Sequence, residues 1–216
     1  MTTKLSGRNE KTFNFWRKIF QYFAAKMTAI HFIKLKFKVL KPEGMENIDK
    51  TKNYVVASNH LSNYDPFFIA SQLNNPLAYM AKKELFSTFW LRLVMDWCGA
   101  FAVDREKVDV STIKTALSVK KTDWDLGIFP QGTRSHSNEL VASKGFASIA
   151  KKMGREILPV GIIKKADEKN PNGKQLLYIK VGKPISTEGD VDDIYNQWCK
   201  TICELTGLEY KSNQTD

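Results

Sequence analysis

Residues 54–74 read YVVASNHLSNYDPFFIASQLN. Tyr54 to Ala57 is a short apolar run rich in β-branched and aromatic residues, the pattern of a buried strand. From Asp65 the reading changes: Asp is a favoured helix cap and Pro66 a favoured first helical residue, so DPFFIASQLN opens a helix. His60 stands where the strand stops. Were residues 60–65 one regular helix, His60 and Asp65 would lie about 140° apart and ~7.5 Å along the axis, unable to meet. If LSNY is instead a loop between strand and helix, it can fold the two side chains together. Two readings stay open here: Asp65 caps its helix with His60 incidental, or imidazole and carboxylate form a pair.

Outward from this corner, strand and helix patterns alternate. LAYMAK (77–82) reads as a strand, STFWLRLVMDWCG (87–99) as a helix, AFAVDR (100–105) as a strand and DVSTIKTALSVKK (109–121) as a helix. WDLGIFP (124–130) is a strand, KGFASIAKKMG (144–154) a helix stopped by glycine, ILPVGII and LLYIKVGKPI are strands, and VDDIYNQWCKTICELTG (191–207) closes as a helix. Upstream, Ile33, Leu35, Phe37 and Val39 alternate with Lys34, Lys36 and Lys38, the pattern of a half-buried edge strand. The expected fold is α/β: a single domain with a mostly parallel central sheet flanked by helices, its sites at the carboxyl ends of the strands.

A chain of 216 residues with 43% hydrophobic and 26% charged side chains is large enough for one domain with a real core. Cys98, Cys199 and Cys203 form no CxxC pair and leave an odd thiol, so no disulfide framework is expected. The net charge of +10 is unevenly placed: residues 1–41 carry ten Lys or Arg against Glu10 alone, leaving a balance of +1 for the rest. A nucleic-acid binder would spread its basic residues over a docking face, so that class is disfavoured. Within the basic segment, Trp16, Ile19, Phe20, Phe23, Met27 and Ile30 recur at three- and four-residue steps on one helical stripe, with Arg17 and Lys18 opposite and Lys26 near the seam. One reading is a core-packing helix. The other is an interfacial helix with its apolar residues in a bilayer surface and Arg17 and Lys18 near anionic headgroups. No charge-free run approaches the ~20 residues needed to span a bilayer. The expected organisation is an amphipathic, membrane-contacting helical segment at 1–32 and the α/β domain at 33–216.

Two further strand ends bring in cations. CGAFAVDRE places Arg105 after one strand, and GIFPQGTRS places Gly132, Thr133 and Arg134 after another. A Gly-Thr-Arg turn offers backbone N–H groups, a hydroxyl and a guanidinium, which suit a phosphate or carboxylate. Two arginines in the same sheet as a His/Asp corner describe an anion site beside a base. His31 and His136 carry no comparable context.

These blocks resemble the glycerolipid acyltransferases, in particular the bacterial 1-acyl-glycerol-3-phosphate (lysophosphatidic acid) acyltransferases, over residues 38 to 185. NHLSNYD is similar to the family's Asn-His-x4-Asp signature, GAFAVDR to its second block, FPQGTRS to its Phe-Pro-Glu-Gly-Thr-Arg-Ser block and ILPVGI to its fourth; EGMEN and KGFASIA also fit. The resemblance implies that His60 is the general base and Asp65 its partner, with direct transfer from an acyl thioester to the hydroxyl of a lysophospholipid. It implies that Arg105 with Gly132, Thr133 and Arg134 holds the acceptor's phosphate. No GxSxG elbow is present, so no serine acyl-enzyme is expected. Neither a metal nor a bound cofactor is called for; acyl-CoA or acyl carrier protein thioester serves as co-substrate. The expected partners are a phospholipid surface and a lysophospholipid, at the cytoplasmic face of a membrane. Two positions depart from the family: Gln131 replaces a Glu beside the acceptor site, and Ala102 is smaller than usual. Gln131 keeps open another lysophospholipid or a lipid-linked sugar as acceptor, and a non-catalytic lipid-binding module of the same fold is the rival from another class.

Overall fold

The computed structural model describes residues 8–103, 110–135 and 137–210. In chain order the regular elements begin α1 (Phe15–Thr28), α2 (Lys34–Lys36), β1 (Phe37–Val39), β2 (Val55–Ser58), α3 (Asp65–Leu73), β3 (Leu77–Lys82), α4 (Phe89–Trp97) and β4 (Phe101–Val103). They continue with α5 (Val110–Val119), β5 (Asp125–Ile128), β6 (Glu139–Leu140), α6 (Gly145–Met153), β7 (Ile157–Lys165), β8 (Gln175–Val181), α7 (Val191–Thr206) and β9 (Glu209–Tyr210).

Seven strands make one sheet in the order β1-β8-β7-β2-β5-β3-β4. Every neighbouring pair is parallel except β7 with β8. The carboxyl ends of β2, β3, β4, β5 and β7 therefore share one edge, where ligands gather in such sheets. Alternation along the central strands sorts the core into two layers. Val55, Ala57, Ala78 and Leu126 pack with α5, α6 and α7, while Val56, Leu77, Tyr79 and Leu158 pack with α1 and α3. Burying one such Leu, Ile or Phe contributes about 1.5–3 kcal/mol, so the two layers hold the sheet rigid beneath its loops. Trp124 at the head of β5 fits this packing only because Gly99 faces it: a Cβ at Gly99 would lie 2.4 Å from the indole ring.

Helix α1 sits on the sheet by the face opposite to its large apolar stripe. Gln21, Ala25, Ala29 and Ile33 recur every four residues and are the buried ones. Gln21, 4% exposed, donates to the Leu77 and Cys98 carbonyls (both 2.6 Å) and accepts from the Leu77 N–H (2.8 Å). Its amide thus satisfies backbone groups that the start of β3 and the end of α4 would otherwise leave buried and unpaired. Trp16 (69% exposed), Phe23, Met27 and Ile30 point away from the domain, Phe20 also remains exposed, and Ile19 is half-buried.

This arrangement corrects one expectation. The strand expected from Ile33 begins only at Phe37, because Ile33 completes the buried four-residue row through a π-helical turn (Ala29–Ile33) leading into α2, and Leu35 is exposed. Arg17 and Lys18, expected near lipid headgroups, form ion pairs with other parts of the chain. Arg17 donates to the Asp96 carbonyl (2.5 Å) and carboxylate (2.7 Å), and Lys18 pairs with Asp123. Arg8 joins the same Asp96 carboxylate, and burial pushes its guanidinium pKa down to about 10. Asp96 lies on α4, a helix with no buried residue, whose Trp90 is 74% exposed. The two arginines thereby fasten α1 and the chain before it to α4.

Candidate active site

Strand β2 delivers residues 59–64 to the carboxyl edge of the sheet, and three sets of hydrogen bonds define that corner. Asn59, buried at the end of β2, donates its amide to the Ile162 carbonyl (3.0 Å) and accepts from the Ile162 N–H (2.7 Å). Its side chain imitates a backbone unit and extends the β2–β7 ladder by one step beyond Ser58, which pairs with Val160. The next residue, His60, is consequently placed by the sheet.

Asp65 is the first residue of α3 and is 4% exposed. One carboxylate oxygen accepts from the Leu61 N–H (2.6 Å), the Ser62 N–H (2.7 Å) and His60 Nδ1 (2.8 Å). Tyr64 occupies the cap position, with no side-chain cap bond. The carboxylate therefore organises the loop before its helix and meets the imidazole, which decides between the two readings of this corner. Since the carboxylate is an acceptor, Nδ1 carries the proton, and Nε2 is the nitrogen left to take one. The ring stacks on Phe129 at 4.1 Å between centroids, and Phe129 in turn stacks on Tyr79 at 5.8 Å. The Tyr79 hydroxyl donates to the Pro66 carbonyl (3.1 Å), and burial raises its pKa well above the ordinary tyrosine value, so it stays a neutral brace.

The turn after β5 is stitched to the same histidine. Gln131 Oε1 accepts from the His60 N–H (2.7 Å), and the Ser135 N–H donates to the His60 carbonyl (2.9 Å). Gln131 thus turns its acceptor toward the backbone of the base. A glutamine does this as well as a carboxylate would, without adding a charge. Gly132 adopts φ +70°, the left-handed conformation that lets the turn reverse toward His60, and the Thr133 hydroxyl donates within the turn to the Arg134 carbonyl (3.1 Å). Arg134 is exposed and lines the cavities at this edge; Gly132 and Thr133 line neither of the two described below. Arg105 lies outside the described residues. Ala102 is a core residue of β4, 4% exposed, away from the His60 loop.

A cavity of about 560 Å³ opens beside His60. His60, Ser62, Lys82 and Arg134 line it together with apolar residues that include Leu85, Leu91, Met95 and Ala100. Gln21 and Cys98 also line it, and burial pushes the Cys98 thiol up to about 12, which keeps it protonated. A base with a free nitrogen, an arginine and an apolar lining in one cavity can accept an amphiphile and deprotonate a hydroxyl on it. Pattern reading missed Asn59, Phe129, Tyr79 and Gln21. Only Asn59 was signalled, as a buried polar residue beside the base at a strand end.

Comparison with known proteins places this arrangement in context. The Acyltransferase family model matches residues 39–163, more than half of the chain, including both His60 and Asp65. The 1-acyl-sn-glycerol-3-phosphate acyltransferase of Streptococcus pneumoniae is 31% identical over 170 residues, 76% of this chain and 61% of that protein. The Bacillus subtilis enzyme of the same name is 30% identical over 147 residues, 68% of this chain and 73% of its own. The chain thus spans a little under two thirds of the pneumococcal relative's length. The solved 1-acyl-sn-glycerophosphate acyltransferase of Thermotoga maritima shares the fold, with a TM-score of 0.66 at 24% identity over 88% of this chain and 80% of that one. A family match across both chemical blocks, and relatives that agree in kind, establish that the chain is a member of the acyltransferase family.

Proposed function

We propose that the protein moves a fatty acyl group from an acyl thioester to the free hydroxyl of 1-acylglycerol 3-phosphate, forming phosphatidic acid. The observation that carries this reading is the 2.8 Å contact between His60 Nδ1 and Asp65, with His60 lining a mostly apolar cavity that Arg134 also lines. His60 Nε2 takes the hydroxyl proton as the acceptor oxygen bonds to the thioester carbonyl carbon. The tetrahedral adduct then collapses, the C–S bond breaks, and the leaving thiolate recovers the proton from the imidazolium. Asp65 keeps the tautomer and offsets the charge that appears on the ring. Arg134, with the Gly132–Thr133 turn and Arg105, holds the acceptor's phosphate so that its hydroxyl meets Nε2. The acyl chain lies against the apolar lining.

A membrane surface is the natural place for such substrates. No helix among the described residues is long and apolar enough to cross a membrane. The exposed side of α1 (Phe15, Trp16, Phe20, Phe23) continues into Phe89, Trp90 and Trp97 of α4, with the Phe20 and Trp97 rings 5.7 Å apart. We read this as one lipid-facing surface, whose only acid on α4, Asp96, is neutralised by Arg8 and Arg17. The test is mass-resolved transfer in vesicles, over coenzyme A and carrier-protein thioesters and a panel of acceptors. Phosphatidic acid from 1-acylglycerol 3-phosphate is expected; transfer only to acceptors lacking a phosphate contradicts the reading.

A further inference from the structure

A second cavity, of about 610 Å³, shares Ser62, Tyr64 and Arg134 with the first, so both open on the same loop. Its character differs. Where the first is lined mainly by apolar residues, the second sets Lys36, Lys164 and Arg134, with Ser62, Ser135, Ser137 and Gln175, beside an apolar side made by Ile33, Phe37, Leu61, Phe68 and Leu177. Its one acid is Asp65, already occupied by His60 and two backbone N–H groups. Other lysines of this side of the molecule have acidic partners: Lys38 pairs with Asp167 and Lys180 with Glu43. Lys36 and Lys164 have none among the described residues. Each lies instead near a ring, Lys36 5.9 Å from Tyr64 and Lys164 5.4 Å from Phe37. Arg134 likewise has no ion pair among the described residues. Three cations without an ion pair among the described residues line one concavity with hydroxyl and amide groups, of which the Ser135 and Ser137 hydroxyls also bond each other. That combination selects a phosphate group over a carboxylate, because it offers more donors than a carboxylate can use.

The elements explain why both lysines face this point. Lys36 ends α2, just where the helical row on Ile33 stops and β1 begins, and Lys164 lies near the end of β7, next to β8. Neither belongs to a block that carries the family match to His60 or Arg134, and Lys36 precedes the matched residues altogether.

We propose that this second cavity is a phosphate-ester site, with Lys36 and Lys164 as its own cations and Arg134 bridging it to the first. The inference rests on the acyl-transfer reading above, in which both substrates carry phosphate: the acceptor on its glycerol, the thioester on its pantetheine arm. The acceptor's phosphate is held close to His60, whereas the thioester's phosphate lies at the far end of the pantetheine arm, so the two substrates call for two separate cationic positions.

The double variant Lys36→Gln/Lys164→Gln tests this, with Lys50→Gln/Lys200→Gln as a charge-matched control on exposed lysines that line neither cavity. Kinetics are measured in neutral detergent, so that no anionic surface competes. Two substrate pairs are compared: acyl-CoA against acyl-pantetheine, and 1-acylglycerol 3-phosphate against monoacylglycerol. The proposal expects KM for one phosphate-bearing substrate to rise by roughly tenfold with kcat within about twofold, as for a lost charge-assisted contact. The matching substrate without phosphate should be unaffected. A shift confined to the acyl-CoA arm assigns the site to the donor, and one confined to the acceptor arm assigns it to the acceptor. Unchanged KM in both arms, or equal changes in the control, overturns the proposal. Should the wild type transfer nothing at all, amide-shift titration with inorganic phosphate decides the site alone. Saturable shifts at Ser62, Ser135 and Gln175 that vanish in the double variant support it, and their absence in the wild type overturns it.

Discussion

The His60 corner and the α1–α4 face are built on opposite principles. At the corner nearly every polar atom is assigned: Asp65 serves three donors, the His60 backbone is held at both its N–H and its carbonyl, and Asn59 is locked to Ile162 in both directions. The second ring nitrogen of His60 is left for a substrate. On the α1–α4 face the polar groups are equally well paired inward, through Gln21 and the Asp96 cluster, but large aromatic side chains have no cover. On the function proposed above, the corner's hydrogen bonds converge to fix a catalytic geometry, while the α1–α4 face keeps apolar area open for a lipid surface. The two regions should therefore fail in different ways when altered.

Asp65→Asn attacks the convergent corner and carries the largest effect of these substitutions. An amide cannot stabilise the imidazolium and can present N–H to Nδ1, so turnover should fall by ~10²–10⁴-fold. Circular dichroism should show the fold retained. Loss of activity through unfolding alone would erase the distinction between a catalytic and a capping carboxylate.

Replacing the aromatic face comes next. Trp16→Ser with Trp90→Ser removes two indoles, each worth up to about 3 kcal/mol of apolar burial if it inserts. Vesicle co-sedimentation should weaken at least tenfold, while thermal stability and transfer in micelles stay within about twofold of wild type. A large drop in melting temperature would mean that these rings are core after all. Asn59→Ala sharpens the corner from its structural side. It strands the Ile162 N–H and carbonyl in a buried site, and denaturant titration should show a loss of about 1–3 kcal/mol.

The smallest effect belongs to Gln131→Glu. The new carboxylate can still accept from the His60 N–H, so turnover should change by less than about threefold, with a modest rise in acceptor KM from repulsion of its phosphate. A collapse in turnover would show that the neutral amide has a role beyond accepting that one bond.

How far these features could be read beforehand depends on the range of the interactions behind them. The His60–Asp65 pair was legible because its evidence is local: a strand, a four-residue loop and an Asp-Pro helix start lie within a dozen residues. The alternation of strand and helix patterns was equally local and predicts the parallel sheet. Gln131 was not legible in the same way, since its partner is a backbone N–H 71 residues away. The orientation of α1 turned on Gln21, a polar residue on a helix whose other face is aromatic; the buried carbonyls of Leu77 and Cys98, otherwise unpaired, make its burial favourable. Ile33 fitted both a two-residue and a four-residue period, and tertiary packing chose the second. Lys36 read as one of a row of solvated edge charges because nothing in its own segment shows that it lines a cavity with Lys164.

The central claim is that His60 Nε2 removes the acceptor's proton. Its most direct test is the rate of acyl transfer from a thioester to 1-acylglycerol 3-phosphate by purified His60→Ala protein, with folding checked by thermal melt. The account predicts a fall of at least ~10²-fold in kcat with the melting transition preserved. Turnover near the wild-type rate in that folded variant would contradict it.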